Sequence, residues 1–142
     1  MYKYMAIMLL LTFVNADIKD FCTNWCDSYN IPVKYVNNWS YVESTHFRFK
    51  SPNRYGRFNI SYNWLCDYLR WTKQDMPKDW KKYLLRDDYN CFIAIYSWSV
   101  YRNLGYSDAE FLNIWLFGES NVVYNGRWST NYINKILGGA ME

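Results

Sequence analysis

Apolar and polar residues alternate through the middle of the chain, where Phe58, Ile60, Tyr62 and Trp64 stand between Arg57, Asn59, Ser61 and Asn63. This two-residue period predicts a half-buried β-ribbon over residues 55–67, with Gly56 at its opening and Cys66 near its end. Before it, Ile18, Phe21, Cys22, Trp25 and Tyr29 fall at helical spacing and Pro32 follows as a stop. Tyr35, Val36, Trp39, Val42 and Glu43 predict a second helix ending before Pro52, which carries Glu43 toward the ribbon. After the ribbon comes a polar connection with Pro77 and a short helical piece over 80–85. Residues 91–101 are apolar nearly all round and predict a buried central helix, with Asp87 or Asp88 as its cap. Gly105 is a stop, and Ser107 to Glu110 form a capping box for a helix through Phe111, Leu112, Ile114 and Trp115 to Gly118. The tail, with Tyr124, Trp128, Tyr132, Ile133, Ile136 and Leu137, is weakly patterned.

Composition adds a compartment. Residues 1–16 read as a signal peptide, with Lys3 in a basic start, a short apolar run and a small-residue exit at Val14-Asn15-Ala16. The expectation is a single secreted, extracellular domain over 17–142. No later segment reaches the roughly 18 to 20 uninterrupted apolar residues of a membrane span. The net charge of +3 includes no basic cluster beyond Lys81-Lys82, so nucleic acid is not an expected partner. Four cysteines, Cys22, Cys26, Cys66 and Cys91, favour bridges in an oxidising compartment and allow three full pairings. A Cys22–Cys26 bridge within one regular helix is strained, so each needs another partner or a distorted helix. With one histidine, His46, and no paired Cys-x-x-Cys motifs, no zinc site is expected. Asp87-Asp88 supplies too few carboxylates for calcium, and no cofactor is expected. Asn38-Trp39-Ser40 and Asn59-Ile60-Ser61 are N-glycosylation sequons, the second inside the ribbon. Aromatic residues make up 22% of the chain, eight of them Trp, more than a core of this size requires. Those at the surface would suit sugar rings, lipids or protein partners.

The order Tyr55-Gly-x-Phe-x-Ile-x-x-x-Trp-x-Cys66 resembles the central motif of the c-type lysozymes and their lactalbumin relatives, in which this strand lines the saccharide cleft. Cleavage after Ala16 would place Cys22 sixth, as in many members of that family. Glu43-Ser44 followed by Phe47 is similar to the family's acid helix, and Asp88 to Cys91 with Ile95 to the start of its central helix. The resemblance runs loosely from residue 17 to about 115 and densely over 55–67. It implies an α+β fold, a mostly helical lysozyme-like domain with a small antiparallel β-subdomain. It also implies Glu43 as catalytic acid, a saccharide cleft lined by Asn59, Tyr62, Asn63 and Trp64, and a Cys66–Cys91 bridge closing a loop of about 25 residues.

Two departures bear on activity. Arg54 stands where the family has its catalytic aspartate, and half of the family's usual eight cysteines are absent. A retaining glycosidase needs a protonated carboxylic acid and a second, ionised carboxylate facing the oxocarbenium-like charge. A cation at the second position opposes that charge and favours ionisation of a nearby Glu. The implied function is binding of β-1,4-linked amino-sugar glycans of peptidoglycan or chitin type, with hydrolysis weak or lost and raised by Arg54→Asp. The alternative is a secreted helical carrier or interaction protein for an apolar ligand or a protein partner. For that alternative, Cys22-x-x-x-Cys26 resembles the paired cysteines of insect odorant-binding proteins. Neither reading fixes an oligomeric state.

Overall fold

The computed structural model describes residues 20–46 and 53–138. The expected signal peptide, Phe47 and Pro52 lie outside the described residues. The chain is mostly helical with one two-stranded antiparallel sheet, an α+β arrangement. Helix α1 (Asp20–Tyr29) ends at Asn30, whose positive φ of 57° closes the turn, and Pro32 then stands at the N-cap of α2 (Val33–Tyr41). Helix α2 buries Val36, Trp39 and Ser40 and runs on into a wider π-helical turn, Val42–His46, that carries Glu43 inward.

The expected ribbon is much shorter than its sequence pattern. Strands β1 (Arg54–Tyr55) and β2 (Ile60–Ser61) pair Arg54 with Ser61 and Tyr55 with Ile60, and a helix, α3 (Tyr62–Trp71), begins at once. The alternation therefore holds at Phe58 and Ile60, both buried, and fails at Tyr62 and Trp64. Two features override it. The Ser61 hydroxyl accepts from the Trp64 amide as an N-cap, and Leu65, Tyr68 and Leu69 bury one helical face. The turn between the strands needs left-handed backbone at Gly56 (φ 77°) and Asn59 (φ 53°).

Four-turn-long α5 (Asp87–Asn103) follows the short α4 (Trp80–Leu84) and is the buried central helix that its composition predicts. Its N-cap is Arg86, in extended conformation and without a side-chain cap bond. Asp87 and Asp88 thus lie inside the first turn, where negative charge suits the helix dipole, and not at the cap position. Asp87 pairs with Arg57 at 3.2 Å. Helix α6 (Asp108–Phe117) opens on the expected capping box of Ser107 and Glu110. Two helices then occupy the weakly patterned tail, α7 (Glu119–Val123) and α8 (Thr130–Leu137).

Cys22 of α1 is joined to Cys91 of α5, with Cα atoms 6.3 Å apart. The Cys66–Cys91 bridge implied by the resemblance is not formed. Cys22 and Cys91 both lie on the buried faces of their helices, whereas Cys66 is half-buried on α3 and carries a free thiol, as does buried Cys26. Among the described residues, no helix is long and apolar enough to cross a membrane.

Trp39 forms the centre of the core. Its ring meets Phe58 at 4.7 Å, Trp115 at 4.9 Å, Trp98 at 5.2 Å and Phe111 at 5.7 Å, so hairpin, α2, α5 and α6 converge on one indole. Much of the aromatic surplus is therefore internal, although Trp128 is 49% exposed.

Asp108 fastens α5 to α6. Its Oδ1 accepts from Trp98 Nε1 at 2.7 Å and Arg102 Nε at 2.9 Å, and Arg102 also donates to the Asn30 carbonyl at 2.7 Å. Burial alone would raise the Asp108 pKa, but the bonds from Arg102 and Trp98 outweigh it and hold the carboxyl below its ordinary value. A depressed carboxylate contributes stability above its unfolded pKa that is lost as pH falls through the folded one. Asp108→Asn is expected to cost about 1–2 kcal/mol at neutral pH and to flatten the acid limb of a pH–stability curve measured by urea unfolding.

Candidate functional site

An open cleft of about 240 Å³ lies between the hairpin and α3 on one side and α6 with the start of α7 on the other. Asn59, Asn63 and Trp64 line it together, three of the four residues expected from sequence. Tyr62, the fourth, is absent from its lining: one residue along the helix from Asn63, it turns outward, is 43% exposed and packs on Trp80 at 4.8 Å. Arg54, Asp67, Tyr101, Trp115 and Glu119 also line the cleft. Of these, the sequence marked Arg54 for its charge, Trp115 as a residue of its helix, and Asp67 as a carboxylate beyond the ribbon with no role assigned.

Trp64 is a wall more than a free platform. Its indole Nε1 donates to the Ser97 hydroxyl at 2.8 Å, and its ring lies 4.5 Å from Trp115 and 6.0 Å from Tyr101, inclined to the latter by 29°. Trp115 in turn donates to the Phe58 carbonyl at 3.3 Å. Helix geometry explains the shared aromatic wall, since the first turn of α3 projects Trp64 toward α5 and α6 once Ser61 has set the helix start. Asn63, next along, is exposed at the rim.

Glu43 lies behind this wall. It is 4% exposed, and Asn59 Nδ2 donates both to its carbonyl at 2.7 Å and to its Oε1 at 3.1 Å. The Tyr132 hydroxyl donates to Oε2, and Trp39 Nε1 donates to the Tyr132 oxygen at 3.0 Å. Burial, followed by the Glu43 charge, pushes the Tyr132 phenol well above its ordinary pKa, so it remains a donor. Asn59 both lines the cleft and holds Glu43, and is thereby the link between cleft and buried carboxyl. Tyr132 comes from α8 in the weakly patterned tail. Its only sequence signal is Ser129, which caps α8, followed by buried Tyr132, Ile133 and Ile136.

Arg54 lies near enough to the Glu43–Tyr132 pair for its charge to act on the Tyr132 phenol. Its guanidinium reaches the Asn59 carbonyl at 3.5 Å, and the residue is exposed at the hairpin. Asp67, beyond the ribbon, lines the cleft and pairs with Arg70 at 2.8 Å. Glu119 accepts from the Tyr101 hydroxyl at 3.0 Å on one oxygen and from Tyr106 at 3.2 Å on the other. The Tyr101 pKa is raised, first by burial and then by the Glu119 charge.

Both sequons have committed amides. The Asn59 nitrogen that a glycan would occupy is buried and donates to Glu43, so folded Asn59 offers no acceptor. Asn38 is half-buried and donates to the Ile136 carbonyl at 3.0 Å. Among the described residues, no three of His, Cys, Asp and Glu gather as a metal site. The aromatic rings that an apolar carrier would need around a ligand cavity are packed on one another. No family model, curated protein or solved structure matches the chain.

Proposed function

We propose that this chain is a lysozyme-like protein that binds β-1,4-linked amino-sugar glycans of the peptidoglycan or chitin class without hydrolysing them. The observation that carries this reading is the cleft itself, in which the amides of Asn59 and Asn63 stand beside an aromatic wall of Trp64 and Trp115. Sugar rings present hydroxyl and amide edges with apolar faces, so they are met by fixed polar groups next to flat aromatic surface. The order of elements, two helices of which the second runs into the turn bearing Glu43, then a hairpin and later a buried helix, supports the same reading.

Hydrolysis is set aside on chemical grounds. A general acid must deliver a proton to the leaving oxygen in the cleft. Both Glu43 oxygens instead accept bonds from within the protein, and buried Glu43 is not part of the cleft lining to which Asn59 belongs. No carboxylate occupies position 54 to meet the developing positive charge, and Arg54 opposes it. The increase in turnover with Arg54→Asp expected from sequence is therefore not part of this proposal.

Intrinsic tryptophan fluorescence provides the test. Oligomers from chitin, its deacetylated form or peptidoglycan are expected to perturb emission with millimolar or tighter affinity. Asn63→Ala should weaken binding by about three- to tenfold while leaving Tm unchanged, because Asn63 is exposed at the rim. Unperturbed emission with all three oligomer classes would remove the proposal.

A further inference from the structure

We infer that the cleft selects amino-sugar chains bearing free, protonated amines over fully N-acetylated ones; this rests on the glycan-binding reading above. The cleft carries two carboxylates that the resemblance to lysozymes does not account for, Asp67 on α3 and Glu119 at the start of α7. Both line the cleft together with Tyr101, whose hydroxyl donates to Glu119 at 3.0 Å. Trp64 stands among them, its ring 6.0 Å from that of Tyr101.

Glu119 is the stronger of the two. Each of its oxygens already holds one phenolic donor, Tyr101 at 3.0 Å and Tyr106 at 3.2 Å, which fixes the carboxylate's orientation without neutralising it. Among the described residues it has no cationic partner. A carboxylate oxygen has lone-pair capacity for more than one donor, so each still has room for an incoming ammonium hydrogen. Asp67 is half-committed to Arg70 in an exposed pair, the kind that a competing cation displaces at small cost.

An N-acetyl group presents one amide hydrogen and a methyl, and carries no charge. A free 2-amino group presents three donors and a positive charge, and gains a charge-assisted bond at a fixed acceptor. Arg54 lines the same cleft from the hairpin, on the strand that pairs with Ser61 at the start of α3. Its charge opposes an incoming ammonium, so the preference comes from the fixed acceptor at Glu119 and not from the overall charge of the cleft.

Calorimetric titration of the full chain with a glucosamine tetramer and with its N-acetylated counterpart, at a pH where the amines are protonated, separates the outcomes. The expected result is about tenfold tighter binding of the glucosamine tetramer, weakening as salt rises. Glu119→Gln keeps an oxygen for Tyr101 and should abolish most of that preference, the glucosamine tetramer losing far more affinity than the acetylated one, and Asp67→Asn should reduce it less. Far-ultraviolet circular dichroism checks that both variants are folded. Equal or tighter binding of the acetylated tetramer, or a preference unchanged in folded Glu119→Gln, overturns the inference and leaves glycan binding standing. Binding of neither tetramer, nor of peptidoglycan fragments, overturns both.

Discussion

Replacing Asn90 by Ala is expected to lower stability by about 3–5 kcal/mol, because one fully buried side chain satisfies three backbone groups from two segments, the hairpin and α4. Its Oδ1 accepts from the Phe58 amide at 2.8 Å, and its Nδ2 donates to the carbonyls of Tyr55 at 3.0 Å and Leu84 at 2.8 Å. Truncation leaves those groups in the interior without a partner, each at a cost of about 1–3 kcal/mol before relaxation. The hairpin that holds Asn59 and Arg54 is thus bound to α5 by the Asn90 amide, beside the Arg57–Asp87 pair. Gly56 permits the approach: a Cβ there would come within 2.6 Å of the Leu84 oxygen and 2.8 Å of the Asn90 side-chain carbon. Asn90→Asp retains an acceptor for Phe58 but loses the donor, and should be nearly as damaging. Urea unfolding measures both. A loss below about 1 kcal/mol in Asn90→Ala would mean that the hairpin is held by other contacts.

Removal of the Cys22–Cys91 bridge, by replacing both with Ser, should cost about 2–5 kcal/mol, since the link closes 69 residues of sequence. Cys66→Ser should change stability by less than about 0.5 kcal/mol, as expected of a half-buried side chain outside the main core cluster. The same assignment predicts thiol chemistry. Burial, with the nearby Asp27 charge, pushes the Cys26 thiol up to about 11, so it supplies little thiolate at neutral pH. Alkylation of the native protein should mark Cys66 first and reach Cys26 only on unfolding. Non-reducing peptide mapping that joined Cys66 to Cys91 would instead restore the pairing implied by the resemblance.

Much of the helical framework was legible because its signals are local. The Ser107 capping box, Gly105, Pro32 and the apolar run of α5 each act within a few residues, and their helices form where expected. The ribbon misled because a two-residue alternation over eight positions also fits a strand end followed by a helix. What decides between them is the Ser61 cap and the buried face of Leu65, Tyr68 and Leu69, which lies beyond the alternating stretch. The disulfide was not legible, since which helix faces come together is a tertiary fact and four cysteines leave three pairings. The candidate site divided in the same way. Asn59, Asn63 and Trp64 lie within one short stretch and converge, while Tyr132, Tyr101 and Glu119 reach the site from helices 30 or more residues away. Glu43 read as a residue of the second helix carried toward the ribbon, and it is the arrival of α8 and the hairpin that buries it.

The most direct test of glycan binding is an NMR titration that follows the tryptophan indole N–H signals as amino-sugar oligomer is added. Trp64 and Trp115 line the cleft and their indoles donate to distinct acceptors, Ser97 and the Phe58 carbonyl, whereas the Trp39 and Trp98 indoles are bonded inside the core. The expected result is that the Trp64 and Trp115 signals move together and saturate, with Trp39 and Trp98 nearly still. Signals that stay fixed at millimolar oligomer, or that move only at exposed Trp128, would contradict binding in this cleft.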